Sequence, residues 1–265
     1  PLTVQPVPSN EIQSLTISMA NEADCPRYIG GIVKNVQVGP SPEWIVERLK
    51  ASGQRSINNI VDISNYVLLE MGHPTHIFDY EALGKKQIHV RRAKKGESLT
   101  TLDEQNHTLD DTHLLITDGK SPVALAGVMG GLDSAVSDTT TTVLVESAYF
   151  NPVAIRKSAK SLAMSTDASK RFERGADPDG CLPSFWRVIS MLKEFAGGEL
   201  ISGMVDQYPN PIKMARILMR RSELDLILGI SIAKNEVDRI LGGLGVTFSN
   251  KGDDWECTPP TYRPD

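Results

Sequence analysis

Cysteine is scarce in this chain, three residues of 265: Cys25, Cys181 and Cys257. They are odd in number, far apart and form no CxxC pair. A disulfide framework and a cysteine-based metal cluster are therefore excluded, and a reducing compartment, the cytoplasm, is expected. No apolar run approaches the roughly 18 residues a membrane span needs, and the opening PLTVQPVPSNE has no signal-peptide character. An excess of positive charge is also missing. A net charge of −5 leaves no global field to draw in nucleic acid. Any RNA contact must come from local patches, such as Arg91, Arg92, Lys94 and Lys95, or Arg216, Arg220 and Arg221. For either patch a solvated basic face is the favoured reading. The initiator Met is absent and the chain stops at TYRPD, as expected of a piece cut from a longer protein.

What is present is ordinary for a globular chain, 40% hydrophobic and 23% charged. The length can bury one large core, or a domain of about 200 residues beside a small one. Residues 1–12 are Pro-rich and read as an incoming linker. LTISM alternates as a strand, and RYIGGIVKNVQV is β-rich with a glycine pair that suggests a bulge. Ser41-Pro42 predicts a helix with Ser as N-cap, ended by Gly53. INNIVDI is β-branched, and Ser64 or Asp62 is placed to cap a short helix NYVLLEM that Gly72 stops. From 87 to 149 the chain reads mostly as strands separated by turn residues. Asn151-Pro152 then caps a helix to about Leu162, and a second follows Pro183 with Phe185, Ile189 and Leu192 at helical spacing. Strands flanked by helices give an α+β class, a layered β-sheet module, rather than alternating βαβ. Beyond a Pro-flanked boundary near 210, two short helices capped by Ser222 and Ser231 precede a hairpin, VTF against WEC. That order predicts a small winged-helix-like module.

Few constellations could carry chemistry. His73 and His76 in GHPTHIFD are three apart, but Pro74 between them prevents a regular helix and no third ligand is near, so a metal site is not expected. His76 alone reads as a hydrogen-bonded loop histidine. LAGVMGG, with Gly127, Gly130 and Gly131 after a strand, lacks the ending of a P-loop, so ATP binding is excluded there. It reads as a tight strand-exit turn, or as a place where a ligand approaches bare backbone. In VLVESAYF, period 2 puts Glu146 on one face with Leu144 and Ala148. A carboxylate there needs a partner, either a ligand hydroxyl or an internal salt bridge. MSTDASKRFERGADP sets small hydroxyls beside acid and base, open to a hydrolytic, RNA-binding or solvated-loop reading. No GxSxG or SxxK signature supports covalent catalysis.

CPRYIGGIV, DISNYVLLEMGHPTHIFD, PVALAGVMGG, VLVESAYFNP and MSTDASKRFERGADP, in this order, resemble the β-subunit family of bacterial phenylalanyl-tRNA synthetases over roughly residues 14–210. The tail resembles the small helical module that follows there, ending in a YRxD segment. The resemblance implies three parts: residues 1–20 as the tail of a preceding domain, 21–210 as an editing module, and 211–265 as a truncated winged-helix-like module. It also implies hydrolysis of tyrosine misattached to the tRNA for phenylalanine. His76, Glu146, Thr166 and Ala168 would be the catalytic group, with Glu146 reading the tyrosine hydroxyl. Ser64, Asn65, Ala126, Gly127 and Gly130 would bind substrate. His73, where Gln is common in the family, receives no role. The charged run from Lys170 to Asp177 is expected to pair internally and fix the pocket wall. Asp265 matches one of several acids that hold a Mg²⁺ in the whole enzyme. No cofactor is expected in this piece itself; ATP and Mg²⁺ belong to the whole enzyme, an α2β2 tetramer with the α subunit. The implied partners are α, tRNA and free tyrosine, with no membrane. The alternative is a non-enzymatic tRNA-binding or scaffolding module.

Overall fold

RYIGGIVK forms a strand whose first seven residues are all buried. It pairs in unbroken antiparallel register with TVLVESAY, so the glycine pair makes no bulge. Gly31 instead admits a helix: a Cβ there would lie 2.6 Å from Phe185 Cζ. The computed structural model describes residues 15–201 and 203–263. They divide into two units, with the boundary between residues 211 and 212.

In the first unit, β1 (Thr16–Met19) and β2 (Arg27–Lys34) lead to helices α1 (Glu43–Ala51) and α2 (Asn59–Met71). Strands β3 (Thr75–Asp79), β4 (Gln87–Arg92), β5 (Glu97–Thr100), β6 (Asn106–Leu109), β7 (Leu114–Thr117), β8 (Pro122–Leu125) and β9 (Met129–Gly130) follow. After a short 3-10 turn comes the long β10 (Thr142–Tyr149), then α3 (Pro152–Ser161), α4 (Asp167–Phe172) and α5 (Cys181–Ala196). β11 (Glu199–Leu200) and β12 (Val205–Gln207) close the unit.

One sheet runs β11-β2-β10-β3, with β12 also pairing to β2; the other runs β1-β4-β7-β8-β9, and β5 and β6 form a separate ribbon. The mixed α+β class is as expected. Alternation along the first sheet divides it cleanly. Ile29, Val33, Val143, Val145 and Ile77 face a core shared with α2 and α5. Tyr28, Ile32, Leu144, Ala148 and Phe78 face a second core shared with Ile88, Val90, Leu115 and Ala124 of the other sheet. Helices, sheet and sheet thus stack as layers.

Several helix boundaries depart from expectation. The helix expected to start at Asp62 or Ser64 starts at Asn59, with Asn58 accepting from the Val61 N–H as N-cap. Ile60, Ile63 and Val67 recur at helical spacing, and packing against α5 outweighs their β-branched propensity. Ser41 does not cap α1; the N-cap is Pro42, and the Ser41 hydroxyl donates to Asp62 at 2.5 Å. Asp62 is fully buried and accepts as well from Ser56 Oγ and the Ile57 N–H. It therefore anchors the loop between α1 and α2 rather than capping a helix. α5 begins at Cys181, with Pro183 inside its first turn, where a missing N–H costs nothing.

The second unit holds β13 (Ile217–Met219), α6 (Arg221–Leu228), α7 (Lys234–Gly243), β14 (Thr247–Lys251) and β15 (Asp254–Thr258). Its sheet order is β13-β15-β14, so the expected two-stranded wing carries a third strand. Ser222 and Ser231 are not caps; α6 and α7 have no side-chain cap bond. Its core is small, Val237, Trp255 and Cys257, and the Trp255 indole donates to Asp238 at 2.6 Å.

Candidate functional site

A cavity of about 580 Å³ opens in the first unit, walled by α2, β3, the turn between β8 and β9, β10 and α4. Its polar feature is set by register. Glu146 of β10 stands directly across from His76 of β3, and both point away from the helical layer. On its other side Glu146 faces Gly30, so the nearest polar group on β2 is diagonal: Tyr28, fully buried, donates its hydroxyl to Glu146 Oε2. The internal partner is therefore a tyrosine hydroxyl and not the salt bridge that was one expectation. Among the described residues the carboxyl makes no other hydrogen bond. Burial pushes the Glu146 carboxyl up to about 7, and the Tyr28 bond offsets part of that rise.

His76 is half-buried, its ring edge-on to Phe78 with centroids 4.4 Å apart. It makes no hydrogen bond within the described residues, and burial lowers its imidazole to about 4, so it is neutral at ordinary pH. Gly130 lies against it. A Cβ at Gly130 would come within 2.7 Å of His76 Cε1, so any larger residue there must displace the imidazole. Gly127, in the cavity lining, adopts φ +66 in the turn, a conformation that favours glycine, and its N–H has no hydrogen-bond partner among the described residues.

Thr166 does structural work first. Its hydroxyl accepts from the Ser169 N–H as the N-cap of α4 and donates to the Val128 carbonyl at 2.8 Å. That bond ties α4 to the glycine turn. The charged run behind it does not: Arg171 reaches Asp167 only at 3.7 Å and Arg174 reaches Glu173 at 3.8 Å, on exposed surface. Hydrogen bonds, not the expected ion pairs, fix this wall. Ser64 donates to the Thr75 carbonyl at 2.8 Å, and its oxygen is also engaged by the Thr75 hydroxyl at 3.0 Å. Ser64, Asn65, His76, Gly127, Gly130, Glu146, Thr166 and Ala168 all line the cavity; Ala126 is fully buried behind it and does not.

Sequence reasoning missed the mouth. Arg55 is exposed on the rim, and Gln54 beside it donates to Asp167 at 2.9 Å, joining the α1–α2 loop to α4. It also missed Tyr28, whose partner is 118 residues away. His73 is buried, edge-on to Phe172 at 6.1 Å and near Asp177, outside the cavity lining. Asp265 lies outside the described residues. Among the described residues no group of three His, Cys, Asp or Glu gathers as a metal site, and no helix is long and apolar enough to cross a membrane. The basic patches are largely spent locally: Arg91 on Glu97, Arg92 on Asp24, Arg220 on Glu223 and Arg221 on Asp225.

Residues 24–197 match the B3/4 domain family, and residues 217–265 match the tRNA synthetase B5 domain family. The phenylalanine–tRNA ligase β subunit of Protochlamydia amoebophila is 44% identical over 95% of this chain, and that of Geobacter sulfurreducens 44% over 96%. The chain spans about a third of each, 32%. A solved N-terminal fragment of the Pyrococcus horikoshii phenylalanyl-tRNA synthetase β subunit covers 98% of this chain, and the chain covers 73% of it. At 12% identity and a TM-score of 0.47, that likeness bears on neither fold nor function. The two domain matches and the curated relatives agree in order and extent: this chain belongs to the B3/4 and B5 domain families as they occur together in phenylalanine–tRNA ligase β subunits.

Proposed function

We propose that the first unit is an editing esterase that removes tyrosine attached by mistake to the tRNA for phenylalanine. The observation that carries this reading is Glu146, a buried carboxyl on the wall of a largely apolar cavity, with a protein partner on one oxygen only. An apolar pocket built for phenylalanine rejects an added hydroxyl by only about 10²-fold. A second site that demands the hydroxyl inverts the test. Phenylalanine would leave Glu146 without a ligand partner, at about 1–3 kcal/mol or more if the group is charged. The Gly127 N–H, without a partner among the described residues, offers the complementary donor to the phenolic oxygen.

The reaction adds water across the ester. The water oxygen bonds to the acyl carbon, the bond to the ribose oxygen breaks, and that oxygen takes up a proton. Neutral His76 can accept a hydrogen bond from this water or from the terminal ribose, which orients the attack without an obligatory charged base. Backbone N–H groups or the neighbouring ribose hydroxyl would hold the oxyanion. The Asn65 amide and the one remaining lone pair of Ser64 suit the amino group of the substrate, small Ala168 leaves space, and exposed Arg55 suits a phosphate at the mouth. The same proposal places this chain in a whole enzyme with α as an α2β2 tetramer, using ATP and Mg²⁺ for ligation in the cytoplasm; the relatives' name, a ligase β subunit, supports it.

Deacylation of tyrosyl-tRNA by the assembled enzyme tests it. Glu146→Ala and Gly130→Trp should each slow the reaction by about 10²-fold or more. Unchanged rates in both variants would overturn the assignment.

A further inference from the structure

The carboxyl that the proposed function depends on is held by a residue outside the cavity. Tyr28 does not line the pocket; it sits behind the wall in β2, fully buried, paired with Ala148 and so diagonal to Glu146 on the same face of the sheet. The position directly opposite Glu146 is Gly30, and the space a side chain would need there is filled by Ile17 and Leu15, both apolar. Tyr28 is thus the one group on β2 that can give this carboxyl a hydrogen bond, and it gives it to Oε2.

We propose that Tyr28 is a positioning residue for substrate selection: by occupying Oε2 from behind, it turns Glu146 so that Oε1 is the single acceptor presented to a phenolic hydroxyl in the cavity. The proposal deepens the editing assignment and rests on it. A buried carboxyl with both oxygens free can rotate and accept a ligand hydroxyl in many poses. With one oxygen pinned, the seat is narrow and its direction is fixed by the sheet. A phenol is suited to the role because its ring fills core volume while its O–H reaches one polar partner.

The same bond tunes when the seat is an acceptor. The ionisable groups around the carboxyl are Tyr28 on β2, Cys25 just before it, His76 on β3, and Asp167 and Arg55 at the mouth; α2 and its N-cap contribute only Ser64 and the amides of Asn58 and Asn65. Burial and Glu146 itself hold Cys25 and Tyr28 well above their ordinary range, and burial keeps His76 neutral, so none of these three supplies a compensating charge. Tyr28 works against the burial that raises Glu146. Removing its hydroxyl should therefore move the ionisation of Glu146 upward in pH.

Tyr28→Phe keeps the ring and deletes the donor. In the 265-residue chain, the Glu146 carboxyl would be titrated by carbon-13 NMR, and binding of free L-tyrosine and L-phenylalanine measured across pH. Tyr28→Phe should raise the Glu146 midpoint and weaken tyrosine binding by about tenfold, as expected for a lost hydrogen bond to a charged group, with phenylalanine binding unmoved. In a Glu146→Gln background the substitution should no longer alter any pH midpoint. An unmoved midpoint together with an unchanged tyrosine-to-phenylalanine ratio would overturn the proposal. So would equal weakening of both amino acids, the mark of a merely structural role. If Tyr28→Phe does not fold, uniform 3-fluorotyrosine, a stronger donor, should instead lower the Glu146 midpoint, and no movement would overturn the coupling. A wild-type chain with no preference for tyrosine would overturn the editing assignment and the ligand half of this proposal with it, whatever the titration gives.

Discussion

The two faces of the sheet β11-β2-β10-β3 are built from alternate residues of the same strands, yet they have different fates. On the helical face the buried polar residues Ser147 and Arg27 are spent within the fold, the Ser147 hydroxyl on the Cys181 carbonyl at 2.8 Å and the Arg27 guanidinium on Asp206 and the Pro178 carbonyl. On the opposite face the exceptions are Glu146, whose carboxyl has one protein partner, and His76, which has none among the described residues. A core closes when every buried polar group is satisfied from within. It becomes a site when one group is left partly unsatisfied and a cavity is left beside it. The difference lies in single side chains, not in strand geometry.

The largest way to break the comparison is on the helical face. Ile29→Ala removes a fully buried side chain and should destabilise the chain by about 2–5 kcal/mol in urea titrations. Tyrosyl-tRNA deacylation per folded molecule should not change. On the site face, Glu146→Gln should do the reverse. A carboxyl raised from its ordinary range to about 7 favours folding while protonated, and that contribution is lost as pH rises from about 4.5 through 7. The Gln variant should therefore be more stable than wild type at pH 8, by up to about 3 kcal/mol, and the gap should close toward pH 4. Comparing thermal or urea unfolding at the two pH values checks the sign. Gly31→Ala, where a Cβ meets Phe185, should cost roughly 1–3 kcal/mol by overpacking and leave the pH dependence alone. The smallest effect is expected at the rim. Gln54→Ala removes an exposed hydrogen bond to Asp167 and should lower stability by no more than about 1 kcal/mol, with a measurable change only in the rate of tyrosine entry by stopped flow.

The strand half of this architecture was legible because period 2 is short-ranged. VLVESAYF alone places Glu146 on a face with Leu144 and Ala148, and the structure keeps that face. The start of α2 was not legible, since β-branched Ile and Val favour strands locally and only packing against α5 decides otherwise. Asp62 looked like a cap because it precedes a helical run; its three donors come from residues 41, 56 and 57, and a loop anchor leaves no periodic trace. Tyr28 and Gln54 act on Glu146 and Asp167 more than a hundred residues away, so no local window could link them. The roles proposed for His76 and Thr166 came from resemblance; by itself His76 reads as a loop histidine, and the N-cap role of Thr166 emerges only in the structure.

The rung that sets His76 opposite Glu146 also has a consequence for how this gene can change. Substitutions act on one side chain at a time, but a single codon gained or lost within β10 inverts every side chain beyond it. Glu146 would turn into the helical layer as Val145 turned into the cavity, and Tyr28 would lose its partner in the same event. Insertions and deletions in this lineage should therefore accumulate in hairpins such as residues 103–105 and spare the eight codons of β10.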